Sequence, residues 1–385
     1  MRAGPALEVD RLLDDPRTRV LVCCGSGGVG KTTTAAALGL RAAERGRHVV
    51  VLTVDPARRL AQSMGLSSLD NTPRPVPGAA AEAAGGTLHA MMLDMKRTFD
   101  EIVEAHADPD RAAQILANPF YQSRSSSFAG TQEDMAMEKL GQLRHADEWD
   151  LIVVDTPPSR SALDFLDAPQ RLSRFLDGRL IRVLTGPARA GMFGMKVLNA
   201  GFAMVTGVLT KILGAQVLRD AGTFVTALDT MFGGFRERAE STYRLLQAPG
   251  TAFLVIAAPE ADALREASYF VERLDAERMP LAGLILNRVH TSPAGRLSAA
   301  RSLAAAETLE MQDRPEETGA APRYELAAAT LRIHAERMNL GKRERRLAEH
   351  FTSAHPAIPV AEVDAQPEDV HDLDGLRVIG LILAR

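Results

Sequence analysis

Residues 20–34 read Val20-Leu-Val-Cys-Cys-Gly-Ser-Gly-Gly-Val-Gly-Lys-Thr-Thr-Thr34. An apolar run breaks into Gly25-Ser26-Gly27-Gly28-Val29-Gly30-Lys31-Thr32, which satisfies every fixed position of the phosphate-loop pattern G-x-x-x-x-G-K-[ST]. Glycines let the backbone turn tightly and aim successive N–H groups at an anion. Lys31 adds a compact positive charge for the β- and γ-phosphates, and the Thr32 hydroxyl suits Mg²⁺. A Thr- and Ala-rich helix follows and presents its N-terminal dipole to the same phosphates. Gly46 then ends the helix before a second apolar run, Arg47 to Leu52. Gly27, Gly28, Val29, Gly30, Lys31, Thr32 and Thr33 form the expected nucleotide-binding set, for ATP or ADP.

The rest of the chain narrows the class. Its 385 residues are 46% hydrophobic and carry a net charge of −4, which fits a globular protein and gives no basic bias toward nucleic acid. No stretch spells a membrane span, and residues 1–19 are too polar for a signal peptide, so a cytoplasmic protein is expected. Cys23 and Cys24 are the sole cysteines, adjacent on a strand where side chains alternate between faces, so they read as reduced core residues.

Two acids end apolar strands. Asp55, in Thr53-Val-Asp-Pro-Ala-Arg-Arg-Leu60, lies at the carboxyl edge where doubly wound sheets bind ligands. It is read as the catalytic residue beside Lys31, orienting the attacking water, or as the cap of a helix at Ala57, or as both. Asp155 ends Trp149 to Asp155, a buried-strand pattern of Walker B type, and is assigned with Thr32 to Mg²⁺, or else to capping the next helix. Further strands are expected at 88–93, 251–258, 281–286 and 357–360, and helices at 98–117, 132–144, 261–274, 296–311 and 324–351. Asn287 follows a strand, where its amide could read adenine or serve a turn. The cluster Lys342, Arg343, Arg345 and Arg346, interleaved with Glu344 and Glu349, reads as a solvated helix face.

Residues 171–219 are the compositional outlier, with eight basic residues against Asp177 alone. Inside, Met195, Leu198, Phe202, Val205, Leu209 and Ile212 recur at helical spacing, with further apolar groups on the other faces. Only 14 residues separate Lys196 from Lys211, too few to cross a bilayer. The segment 191–219 is either a core helix of a helical subdomain or a surface for a hydrophobic client segment or an anionic membrane.

The stretches GSGGVGKTT, DPARRL, WDLIVVDTPPS, APEADALREASYFVERL and PLAGLILNRV resemble, in order and spacing, the ArsA/Get-type ATPases, a family of arsenical-pump ATPases and tail-anchored-protein targeting factors. Actinobacterial members are expected to be nearest. The resemblance implies a dimer with nucleotide at its interface, Asp55 polarising water, Asp155 as the Walker B acid, Asn287 on adenine, and a helical client-binding subdomain. Three departures stand out. Ser26 occupies the place of the family's second lysine, which reaches across the dimer. The C-x-x-C that clamps zinc in the eukaryotic targeting factors is missing, so no zinc is expected, and so are the separated cysteines of the arsenite pumps.

The expected fold is α/β: a doubly wound, mostly parallel sheet of the P-loop NTPase type, deviant Walker A class. It spans residues 1–385 as one domain, with a discontinuous helical subdomain at about 95–144 and 172–246. The expected function is a Mg²⁺-dependent ATPase whose nucleotide state opens and closes a dimer and handles a hydrophobic client, at the membrane periphery or in the cytoplasm. The alternative is a nucleotide-binding subunit of low turnover. It would pair as a heterodimer with a lysine-bearing relative rather than as a homodimer, unless Arg58 or Arg160 substitutes for the lysine. Arsenite efflux and partition-type activity on DNA are weaker readings.

Overall fold

The computed structural model describes residues 5–55, 59–79, 85–119, 121–122, 132–157, 234, 237–312 and 324–385. The expected helix within 191–219, most of 172–246, and Arg58 and Arg160 lie outside the described residues.

Among the described residues eight strands form one sheet: β1 (Val20–Cys24), β2 (His48–Thr53), β3 (Arg74–Pro75), β4 (Thr87–Met92), β5 (Leu151–Asp155), β6 (Thr251–Ala257), β7 (Leu281–Val289) and β8 (Val360–Asp364). Their spatial order is β3-β4-β2-β5-β1-β6-β7-β8. Every pairing is parallel except that of the two-residue β3 with β4. Strands β1, β5 and β6 are buried at every position, as expected of parallel strands covered on both faces.

Alternation along β1 sorts the core into two layers. Leu21 and Cys23 face α1 (Val9–Asp14), α2 (Lys31–Glu44) and α10 (Leu373–Leu383). Val20, Val22 and Cys24 face a layer that includes α4 (Met95–His106), α6 (Gln132–Ala146), α7 (Ala261–Ala276) and Phe351 of α9 (Glu325–Ala354). The two thiols therefore sit on opposite sides of the sheet, both buried and free. Further helices among the described residues include α3 (Arg59–Ser63), α5 (Pro109–Ala117) and α8 (Ala299–Gln312), and α8 packs against α9.

The helix expected over 98–117 is two helices. Asp108 caps α5 by accepting from the Arg111 N–H, and Pro109 occupies the first helical position. A proline there cannot donate to the preceding turn and disfavours helical backbone at Asp108, so α4 ends at His106. The basic residues Lys342, Arg343, Arg345 and Arg346 are exposed on α9, as their charge pattern implies, whereas Glu344 is buried.

At the amino ends of the strands, the Arg47 guanidinium donates to the carbonyls of Leu13, Thr18 and Asp150. Backbone and carboxylate of Asp150 pair with His48 on β2, at 2.8 Å each. This end is knitted together, and the opposite, carboxyl edge carries the loops. No helix among the described residues is long and apolar enough to cross a membrane.

Candidate nucleotide site

The loop between β1 and α2 is held open by two glycines. Gly25 adopts φ 152°, and a Cβ there would meet the Ile256 carbonyl of β6 at 2.1 Å. Gly30 adopts φ 93°, immediately before the first helical residue, Lys31, and its Cβ would lie 2.2 Å from the Asn287 amide nitrogen. Side chains at either place would displace the loop, which is the physical content of the motif.

Lys31 is buried at the floor of this loop, and its Nζ donates to the Ser26 carbonyl at 2.9 Å. Burial pulls its pKa below the usual lysine range, against the opposing pull of Asp155 and, more weakly, Asp55. An ammonium held in that state gains from any anion that approaches it. The Ser26 hydroxyl is itself buried and has no hydrogen-bond partner among the described residues.

Asp155 is fully buried at the end of β5, one strand from the loop, in register with Cys23. Its Oδ2 accepts from the Thr32 hydroxyl at 2.7 Å and from the Thr53 hydroxyl at 2.8 Å. Its Oδ1 is buried with no partner among the described residues. Burial pushes the carboxyl up to about 6, with the two hydroxyls and Lys31 acting in the opposite direction. A buried carboxylate oxygen lacking a donor, beside a threonine hydroxyl, is a hard oxygen set that fits Mg²⁺.

Beside them lies a cleft of about 790 Å³ lined by Gly28, Gly30, Lys31, Thr32, Thr33 and Asp55 together with Gln62, Ser63, Thr156, Arg288, Asp369, Val370 and His371, with Asp155 buried behind the lining and reached through Thr32. Asp55 follows β2, its N–H donating to the Thr53 hydroxyl at 3.2 Å. The helix at Ala57 that it could cap lies outside the described residues. Gly27 is exposed on the loop and Val29 is buried beneath it. Asn287 meets the loop rather than the cleft lining: its amide nitrogen donates to the Val29 carbonyl at 2.8 Å.

Sequence reading did not single out Arg288, Asp369 or His371. Arg288 has φ 63°, left-handed backbone that a side-chain-bearing residue rarely adopts. Asp369 and His371 lie between β8 and α10 and are linked by His371 Nδ1 against the Asp369 carbonyl at 2.6 Å. No local motif marks either residue, and they reach the cleft only because β8 closes the sheet beside β7.

Residues 18–311 match the family described as "Anion-transporting ATPase". Curated relatives include an "ATPase GET3" of Malassezia globosa, 29% identical over 44% of this chain and 47% of that protein. A "Putative arsenical pump-driving ATPase" of Halobacterium salinarum is 26% identical over 48% of this chain and 29% of its own. An "ATPase GET3" of Ajellomyces dermatitidis is 24% identical over 73% of this chain and 76% of its own. The chain thus spans about half the length, or less, of the first relatives it matches.

Proposed function

The chain belongs to the anion-transporting ATPase family, and on that premise we propose that it binds ATP with Mg²⁺ and hydrolyses it. The observation that carries this reading is that Lys31 and Thr32 line the cleft and Thr32 is bonded to Asp155, whose second carboxylate oxygen is buried with no partner among the described residues and can take a cation or its water. Lys31 and the loop N–H groups bind the phosphates. Thr32 and Asp155 hold Mg²⁺, which when bound neutralises charge on the phosphate oxygens. Asp55 orients water and takes its proton. Asn287, braced on the loop, offers adenine its remaining amide valences.

The nucleotide state is coupled to opening and closing of a dimer and of a helical subdomain at about 95–144 and 172–246. The segment 191–219, apolar with basic flanks, takes a hydrophobic client or an anionic membrane surface, and the protein works in the cytoplasm. Relatives bearing the name "ATPase GET3" and the name "Putative arsenical pump-driving ATPase" support the ATPase reading. Hydrogen exchange that finds 191–219 fully protected with and without nucleotide would count against the client surface.

Ser26 favours a second reading, a subunit with slow turnover that needs a lysine-bearing partner. Its hydroxyl is turned inward and carries no charge to offer across an interface. A cation supplied in trans is worth roughly 10³-fold or more in phosphoryl transfer. The deciding measurement is ATP hydrolysis by the purified chain and by its Ser26→Lys variant. A large gain in the variant supports the partnership, and equal rates remove its basis.

A further inference from the structure

We propose that Glu344, on α9 and outside the cleft lining, is a positioning residue for the nucleotide cleft that acts by holding Arg288 in it. Four residues run from the loop to α9. Asn287 is fixed by its bond to Val29, and Arg288 follows with left-handed backbone and borders the cleft. Val289 is buried, its carbonyl accepting from the Ala365 N–H at 2.9 Å. His290 then meets Glu344 twice: its N–H donates to Oε2 at 2.8 Å, and its ring Nδ1 lies 2.7 Å from Oε1.

Glu344 is 6% exposed, so its carboxylate depends on these contacts in place of water. The fit of α9 against the segment is close. A Cβ on Gly341 would sit 2.5 Å from the His290 carbonyl, and Arg337 Nε donates to the Thr291 carbonyl at 2.7 Å.

Left-handed backbone is unfavourable for a residue that bears a side chain and persists only where its neighbours over-determine it. Asn287 pins one side of Arg288; on the other, Val289 is paired with β8, and Glu344 fixes the chain immediately beyond it through His290. Without the carboxylate, the His290 N–H loses its acceptor, the chain after Val289 slackens, and Arg288 relaxes toward negative φ. Its side chain then leaves the cleft. Lys31, Thr32, Asp55 and Asp155 stand on other elements and are untouched, so the expected loss is in nucleotide affinity and not in the rate of the bound complex.

The proposal rests on the nucleotide reading above, and the test separates the two. Fluorescent ADP is titrated into the full chain and into Glu344→Ala, Glu344→Gln, Arg288→Ala and the Glu344→Ala/Arg288→Ala double variant, with kcat and KM for ATP measured on each. We expect Glu344→Ala to raise Kd and KM roughly tenfold with kcat within about twofold. Glu344→Gln keeps an acceptor for the His290 N–H and an amide for the ring, and should stay within about threefold of the parent. In the Arg288→Ala background the Glu344→Ala step should cost little more, because residues acting through one another are non-additive. If Glu344→Ala does not fold, Glu344→Asp, whose carboxylate is set back by one methylene from the His290 N–H, replaces it in the same cycle. Full additivity, or a kcat loss equal to the affinity loss, overturns the positioning role. A parent chain that binds no ADP overturns the nucleotide reading itself.

Discussion

The Thr32 hydroxyl donates to Asp155 Oδ2 at 2.7 Å, joining the first turn of the helix after the phosphate loop to the end of the central strand β5. One carboxylate oxygen is thereby spoken for, and the other faces no donor among the described residues.

That arrangement gives a pH-dependent stability of known sign. The folded Asp155 carboxyl stays protonated up to about 6 rather than the ordinary 3.8, so its stabilising contribution is complete below 3.8 and is lost as pH rises through 6. In metal-free buffer, Asp155→Asn should therefore gain stability relative to the parent between pH 4 and 7, by at most about 3 kcal/mol. Urea midpoints at both pH values check it. Mg²⁺ with ADP should stabilise the parent and have little effect on the variant. An unchanged difference across the range removes the buried charge from the account.

Lys31→Ala should lower affinity for ATP and ADP by roughly 100-fold, since it removes the buried ammonium closest to the loop amides. Titration calorimetry reads this directly. Because the ammonium is partly desolvated without ligand, the variant's melting temperature should not fall below the parent's by more than a few degrees.

Asp55→Asn should leave nucleotide affinity within about threefold and lower kcat roughly 100-fold, the amide having lost the ability to accept a proton from water. Steady-state phosphate release measures it. Turnover equal to the parent's would leave Asp55 only a capping role.

Neither cysteine should react with Ellman's reagent at pH 8 in the native protein, and both should react after unfolding. Burial pushes the Cys24 thiol up to about 12 and holds Cys23 well above its ordinary 9.0. Thiolate is the reacting species, so folded chains present almost none. By the same shift, the thiols cost the fold stability as pH climbs from 9.0 toward 12.

What could be read before folding was what local chemistry enforces. Gly25, Gly30, Lys31 and Thr32 announce a phosphate loop because few sequences permit that turn, and Asp155 announces itself by ending a strand of Leu, Ile and Val. The break at Asp108-Pro109 is also spelled out, by a capping side chain followed by a proline at the first helical position. Helix α10 is not among the elements expected from sequence: Leu376, Ile379 and Leu383 are buried at helical spacing, but the exposed Val378 and Leu381 blur that period. Strand β8 lies at Val360–Asp364, later than the expected 357–360, since Glu362 and Asp364 hide an edge strand among polar residues. Arg288, Asp369 and His371 were beyond reach, for only the pairing of β7 with β8 carries them to the cleft. Glu344 stands among exposed basic neighbours, and nothing in the charge pattern marks it as buried.

Arg47 holds the carbonyls of Leu13, Thr18 and Asp150, so one guanidinium ties α1, the turn before β1 and the residue before β5 to the start of β2. The sheet edge farthest from the loop of Lys31 is thereby cross-linked by a single side chain. Lysine in place of Arg47 ends in one nitrogen and could not span the three carbonyls.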